Sequence, residues 1–314
     1  MSDGQPRAPV DELYAAFVRA LPDALAEPGV ALAATLGLSP SRAVPWSQVF
    51  THEITLAAPW LVAEAMPSLP EAAVRDATLA HLLAIIVAFG TDRVEDGQIA
   101  PTPTLAALLG AARQARDAAL ARVTGATAAS YMEAERETAA AIHAELAALR
   151  GGREVAFDRY LAISHGKQRV GLPASLALAA AAGWSARRTA SLARMLDDVT
   201  VALQLHDDVI DWEDDLSRGG AWAVTLAAVD RETLPATMKP RVHRSGVLAR
   251  LLATSARRFR AARRRAAMLG ERRLACWARE REDATRELAR REAESPGFAN
   301  RAHALSAWAR TVLP

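Results

Sequence analysis

Cysteine is nearly absent from the 314-residue chain: Cys276 stands alone, which excludes an internal disulfide and a cysteine-based zinc cluster. Any metal must therefore be held by oxygen or imidazole. Lysine is almost as scarce, with only Lys167 and Lys239 among 38 basic residues, and aromatic residues make up 5% of the chain. Long apolar runs are missing as well. Leu82 to Gly90 and Val170 to Trp184 fall short of the roughly 20 residues that cross a bilayer, and the second contains Pro173, so no integral membrane segment is expected. Met1 to Pro9 lacks a basic stretch followed by an apolar one, so no signal peptide is visible and a cytoplasmic location is expected. No segment sustains the alternation of β-branched and polar residues that predicts a strand.

What is present is Ala, Leu, Arg and Glu in long periodic stretches. With 51% hydrophobic and 24% charged residues, the chain has the balance of a protein that buries a substantial core. The periodicity predicts helices over 10–27, 49–66, 69–96, 103–123, 127–149, 153–182, 185–215, 241–268, 270–293 and 298–312. Breaks at Pro67 and Pro70, Gly97 to Pro103, Gly151-Gly152, Gly183, Gly219-Gly220, Pro240, Gly270 and Pro296-Gly297 separate them. No repeat of constant period and no long linker divides the chain. The expected architecture is a single all-α domain over 1–314, a bundle of about ten helices around a central cavity.

Charge is unevenly spread: residues 239–314 hold 19 Lys/Arg against 7 Asp/Glu, and residues 1–238 hold 19 against 29. The densest basic run, 257–265, reads Arg-Arg-Phe-Arg-Ala-Ala-Arg-Arg-Arg. One reading makes it part of a helical module that binds nucleic acid or a membrane surface; the plainer one makes it the solvated face of an amphipathic helix, since Arg250, Arg257 and Arg264 recur every seven residues. The plainer one is preferred, and no nucleic-acid partner is expected.

The acidic half carries two clusters that close apolar helices. In Gln204-Leu-His-Asp-Asp-Val-Ile-Asp-Trp-Glu-Asp-Asp215, the spacing puts Asp207, Asp211 and Asp215 on one helical face, with Asp208 beside Asp211. Like charges one turn apart, at a helix end whose dipole already repels them, disfavour the helix. A solvated helix end tolerates that cost. The flanking Val201, Leu203, Leu205, Val209 and Ile210 instead predict a buried segment, where carboxylates need a counter-charge such as a hard divalent cation. Far upstream, Asp92, Glu95 and Asp96 share a face at the end of a helix containing Leu79, Leu82, Leu83, Ile85, Ile86 and Phe89. Alone, that trio reads as an ordinary polar helix end; the pairing of two such ends makes it informative.

Together these residues resemble the class I isoprenoid synthases, the all-α superfamily of trans-prenyl diphosphate synthases, squalene and phytoene synthases, and terpene cyclases. Asp92 to Asp96, followed by Gly97-Gln98, looks like the first aspartate-rich motif, and Gln204 to Asp211 looks like the Q-x-x-D-D-x-x-D second motif of the prenyltransferases. Asp207, Asp211 and Asp215 also occupy the three ligand positions of the cyclase-type triad, with aspartate where that family prefers Ser/Thr and Glu. The resemblance implies magnesium (Mg2+) held by Asp92, Glu95, Asp96, Asp207, Asp208, Asp211 and Asp215, a prenyl diphosphate substrate, and diphosphate contacts from Lys167, Arg169 and Arg218. Among these acids, Asp92, Asp96, Asp207 and Asp211 would carry the catalysis. Val87, Ala88 and Phe89 would line the prenyl cavity, and Trp60, Tyr131, Tyr160 and Trp212 join Phe89 as aromatic faces for a carbocation. A homodimer is an assembly it allows.

The chain departs from the elongating prenyltransferases in lacking an N-terminal Gly-Lys-x-Arg element and an Arg-Arg pair after the first motif, both of which bind the second diphosphate there. Thr91 stands where many relatives have an acid, and the C-terminal Arg-Tyr pair of bacterial cyclases is missing. The expectation from these departures is a terpene synthase, a lyase that ionises one allylic diphosphate of fifteen or twenty carbons, with a trans-prenyltransferase as the alternative.

Overall fold

The computed structural model describes residues 8–125, 129–151, 155–218, 220–229 and 235–312, and the side chains of these except 235–237 and 295–312. It is all-α, with no strand among the described residues. Two compact units emerge. The first comprises the described parts of Met1–Ile142, His165–Asp197 and Arg265–Ala275; the second those of His143–Ser164, Asp198–Arg264 and Cys276–Pro314.

The centre of the first unit is the Glu71–Glu95 helix, started by Pro70 and packed against the helices Val10–Arg19, Ile54–Val62, Pro103–Thr124 and Pro173–Ala181. Apolar residues run around its whole circumference, as befits a helix with neighbours on every side. It is long and apolar enough to cross a bilayer by composition, yet Leu82, Leu83, Ile86 and Val87 are buried by protein, so it is a core helix. The Pro103–Thr124 helix begins where Thr102 Oγ1 accepts the Leu105 amide at 3.1 Å and ends at Gly125, whose φ of 64° suits glycine. It lies so close to Gly90 that a Cβ there would sit 2.8 Å from a Leu109 methyl. Tyr14, Phe17, Leu32, Leu36, Trp46, Leu105 and Leu108 complete this core.

The second unit gathers Tyr160, Ile163, Val201, Leu205, Trp212, Trp222, Val242, Leu248 and Leu251 into a core of its own. There Ser255 Oγ donates to the Ala202 carbonyl at 2.7 Å, and Arg258 pairs with the buried Asp198 at 2.9 Å, tying the Val247–Leu269 helix to the segment that leads to Asp207.

The sequence breaks are only partly followed. The expected 10–27 helix divides at Pro22 into Val10–Arg19 and Asp23–Val30. The expected 153–182 helix divides into Phe157–Lys167, a 3-10 turn at Arg169–Gly171 and Pro173–Ala181, because Pro173 lacks the amide that would continue the ladder. The expected 185–215 helix stops at Ile210, and Asp211, with φ −104° and ψ 7°, precedes a separate Trp212–Ser217 helix. Conversely, Arg272–Val312 is one helix across the expected stop at Pro296-Gly297. Gly152 and Gly219 lie outside the described residues.

Candidate functional site

In the first unit the Glu71–Glu95 helix ends at the expected acidic cluster. Asp92 and Asp96 are half-buried and Glu95 is exposed. Gly97, with φ 73°, reverses the chain so that the Gln98 amide donates to the Arg93 carbonyl at 2.9 Å, and Gln98 Nε2 reaches Asp96 at 3.3 Å. One turn before Asp92, the same helix lines a cavity of about 600 Å³ with Val87, Ala88 and Thr91; Met132, Ile142 and Val170 add apolar wall. Phe89 is not part of that lining, since it faces Phe50, with ring centroids 5.0 Å apart. Three consecutive residues of a helix point about 100° apart, so only two of the three expected cavity residues share this space.

The polar edge of the cavity is held internally. Arg113 donates to Thr91 Oγ1 at 3.2 Å and to Glu135 at 3.2 Å, giving the threonine a partner that an aspartate could also have served. Buried Arg116 lies 4.6 Å from the Tyr131 ring centroid and pairs with Glu135 at 2.9 Å and Asp117 at 2.7 Å. Burial raises the Glu135 pKa, but the hydrogen bonds and charge of Arg116, then of Arg113, outweigh it and hold the carboxyl below its usual range. Burial pushes the Tyr131 hydroxyl well up, so it stays protonated.

The basic candidates are placed unequally. Lys167 ends the Phe157–Lys167 helix and is half-buried. Arg169 is engaged by Glu137 at 2.6 Å and Asp197 at 3.7 Å, and His165 also reaches Asp197 at 3.1 Å. In the second unit Arg218 pairs with Asp215 at 3.5 Å.

The second acidic cluster divides by exposure. Asp207 and Asp211 are exposed and Asp215 is half-buried, whereas Asp208 is 5% exposed. The expected burial therefore applies to Asp208, which accepts from the Tyr160 hydroxyl on one oxygen and from Gln204 Nε2, at 2.9 Å, on the other. Burial first, then the Asp208 charge, raises the Tyr160 pKa well above its ordinary value, so the hydroxyl remains a donor. Tyr160 is itself wedged between Phe157 and Trp222, with centroids 5.7 and 4.8 Å away, and Trp222 Nε1 donates to Glu145 at 2.7 Å. Although the long helix ends at Ile210, the Asp211 amide still donates to the Asp207 carbonyl and the Asp215 amide to the Asp211 carbonyl, both at 2.9 Å. Trp212 is buried with its edge toward His243, and Trp60 packs on the first core.

Asp92, Glu95 and Asp96 belong to the first unit and Asp207, Asp208, Asp211, Asp215 and Arg218 to the second. Among the described residues no three of His, Cys, Asp and Glu gather closely enough to hold an ion by themselves. Carboxylate pairs such as half-buried Asp92/Asp96 and exposed Asp207/Asp211 are the donor type that magnesium takes, since it binds through one or two carboxylates and completes its shell with water and substrate phosphate. A calcium-type cage would need more.

Sequence reasoning placed Tyr160 among aromatic faces and missed its bond to Asp208; four dozen residues of separation hide such a pair. Within the run 257–265, ion pairs engage Arg258 with Asp198, and Arg260 at 2.8 Å and Arg263 at 3.2 Å with buried Glu282, which also takes Arg286 from outside the run at 2.8 Å.

The helical architecture is similar to that of two polyprenyl synthases of known structure. A polyprenyl synthetase from Streptomyces coelicolor A3(2) matches at a TM-score of 0.65 and 13% identity, over 89% of this chain and 96% of its own. A polyprenyl synthase from Caulobacter crescentus CB15, complexed with calcium and isoprenyl diphosphate, matches at 0.61 and 17% identity, over 88% and 93%. No protein-family model matches the chain, and no curated protein matches it.

Proposed function

We propose that the chain is a magnesium-dependent enzyme of prenyl diphosphates that joins an allylic diphosphate to isopentenyl diphosphate, as a trans-prenyltransferase does. The observation that carries this reading is the apolar cavity walled by Val87 and Ala88 one turn before Asp92, in a fold shared with two polyprenyl synthases over most of the chain. This reverses the order of preference drawn from the sequence, where the terpene synthase stood first.

In the first unit Asp92 and Asp96 would hold magnesium, with Glu95 as an outer carboxylate; in the second unit Asp207 and Asp211 would do so, with Asp215 as an outer carboxylate. Bound magnesium would neutralise the diphosphate and make it a better leaving group. Lys167 would add a point charge to the diphosphate, and Arg169 a guanidinium already oriented by Glu137 and Asp197. Asp208 would orient the end of its helix through Tyr160 and Gln204. The cavity walls would keep water from the allylic cation.

A terpene synthase remains the second reading, favoured by the lack of a Gly-Lys-x-Arg element near the N-terminus and of an Arg-Arg pair soon after the first acidic cluster. Incubation with farnesyl or geranylgeranyl diphosphate and Mg2+, with and without isopentenyl diphosphate, separates the two. A longer linear diphosphate that requires isopentenyl diphosphate supports the prenyltransferase. Diphosphate release from the allylic substrate alone, giving a hydrocarbon or alcohol, supports the terpene synthase. Failure to turn over any of them with magnesium removes both.

A further inference from the structure

A second cavity in the first unit, of about 500 Å³, is walled by Ser185, Arg187, Arg188, Ser191, Arg194 and Arg265. Among the described residues, no acidic side chain lines it. Arg187, Ser191 and Arg194 recur at i, i+4 and i+7 from the start of the Ala186–Ile210 helix, so they project from one face. Arg188 is fixed in place: its guanidinium lies 3.7 Å from the Trp184 ring centroid and donates to the Leu269 carbonyl at 3.1 Å, while its backbone amide reaches Ser185 Oγ at 3.4 Å. Neither Arg187 nor Arg194 has an ion-pair partner among the described residues. The acid that senses Arg188, Glu271, is driven up to about 9 by burial and the neighbouring Glu64, so at neutral pH it is protonated and does not offset the arginines.

Such an arrangement is unfavourable by itself. Arginines in the first turn of a helix oppose its dipole, and converging guanidinium groups repel one another. An anion in the cavity reverses both effects, and guanidinium forks match phosphate oxygens. The volume lies within the roughly 300–1,000 Å³ of small-molecule sites. We propose that this cavity binds a phosphate-bearing anion, at a site that shares no residue with the proposed prenyl diphosphate site. The shared chemistry is the phosphate group, borne either by a free molecule or by a phospholipid headgroup.

The full chain is titrated with inorganic diphosphate in excess EDTA, so that metal-dependent binding at the carboxylates does not contribute, and is co-sedimented with vesicles of phosphatidylglycerol or of phosphatidylcholine. The expected result is saturable binding of diphosphate that Arg187→Gln/Arg194→Gln weakens by about tenfold or more, the loss of two charge-assisted contacts. The control Arg257→Gln/Arg264→Gln, on exposed arginines elsewhere, should leave affinity unchanged. Retention on phosphatidylglycerol vesicles alone, lost in the first double variant, assigns the phosphate to a lipid. If neither probe binds saturably, or if the control weakens binding as much as the first double variant, the proposal is overturned. Thermal melts verify folding; should the double variant be unfolded, Arg194→Gln alone must weaken binding in the same direction.

Discussion

His81 and Glu271 are buried titratable side chains of the first unit whose protonation is set by enclosure, and they act in opposite directions. His81 donates from Nε2 to the Thr55 carbonyl at 3.0 Å, and burial lowers its pKa to about 4. An unfolded histidine takes up its proton near pH 6.5, so the neutral ring contributes stability above that pH which is lost as the pH falls toward about 4, on the order of 3 kcal/mol in full. Glu271 is raised to about 9, so the unfolded chain releases that proton first as the pH rises from about 4.5, and stability declines up to about pH 9. Thermal melts across this range should show His81→Gln flattening the acid limb and Glu271→Gln flattening the alkaline limb. An unchanged limb in either variant would remove that residue as its source. At Asp208 the expectation is different. Tyr160→Phe strips a donor from a buried carboxylate, so denaturant unfolding should show a loss of about 1–3 kcal/mol, and a loss near zero would mean the hydrogen bond has no net worth.

Among the helices, the tightest approach is at Gly90. Alanine there would gain up to about 1 kcal/mol in helix propensity, but its Cβ would meet Leu109 methyls at 2.8 and 3.1 Å and Leu36 at 3.4 Å, in a core where Leu109 is 6% exposed and Leu36 fully buried. Overpacking of this kind costs about 1–3 kcal/mol, so Gly90→Ala should lower the melting temperature, and Gly90→Ala/Leu109→Val should recover part of the loss. A stabilised Gly90→Ala would show that the two helices can part. The helices Glu71–Glu95, Pro103–Thr124 and Ala129–Arg150 were legible in the sequence because Pro70, the Gly97 to Pro103 break and Gly151-Gly152 bound long stretches rich in Ala and Leu. The breaks at Pro22 and Pro173 were not, because periodicity alone joins what a missing amide separates. At Asp211 the spacing of like residues suggested one unbroken helix, and the long helix instead ends at Ile210.

For the whole molecule, the two acidic clusters were readable because they are local, one turn of helix each, whereas the partners that decide what each acid can do come from distant segments. Tyr160 reaches Asp208 from 48 residues away, and Arg113 reaches Thr91 from 22. That division gives the last prediction its form. Asp207 is 64% exposed in its side chain and Asp211 is also exposed, so neither supports the core, whereas Asp208 anchors one. If Asp207 and Asp211 act as magnesium ligands for a diphosphate, Asp207→Asn and Asp211→Asn should keep wild-type melting temperature and helical content while turnover falls by about a hundredfold or more, the scale on which removing one electrostatic stabiliser acts. Asp92→Asn and Asp96→Asn should follow the same pattern with more residual activity, the residue before Asp92 being Thr91 and not an acid. Asp208→Asn should instead lower the melting temperature, since it exchanges a carboxylate held by two donors for an amide that accepts through only one atom. Turnover above a tenth of wild type in both Asp207→Asn and Asp211→Asn would detach the second cluster from catalysis, and equal thermal losses at all three positions would show that these acids serve the fold alone.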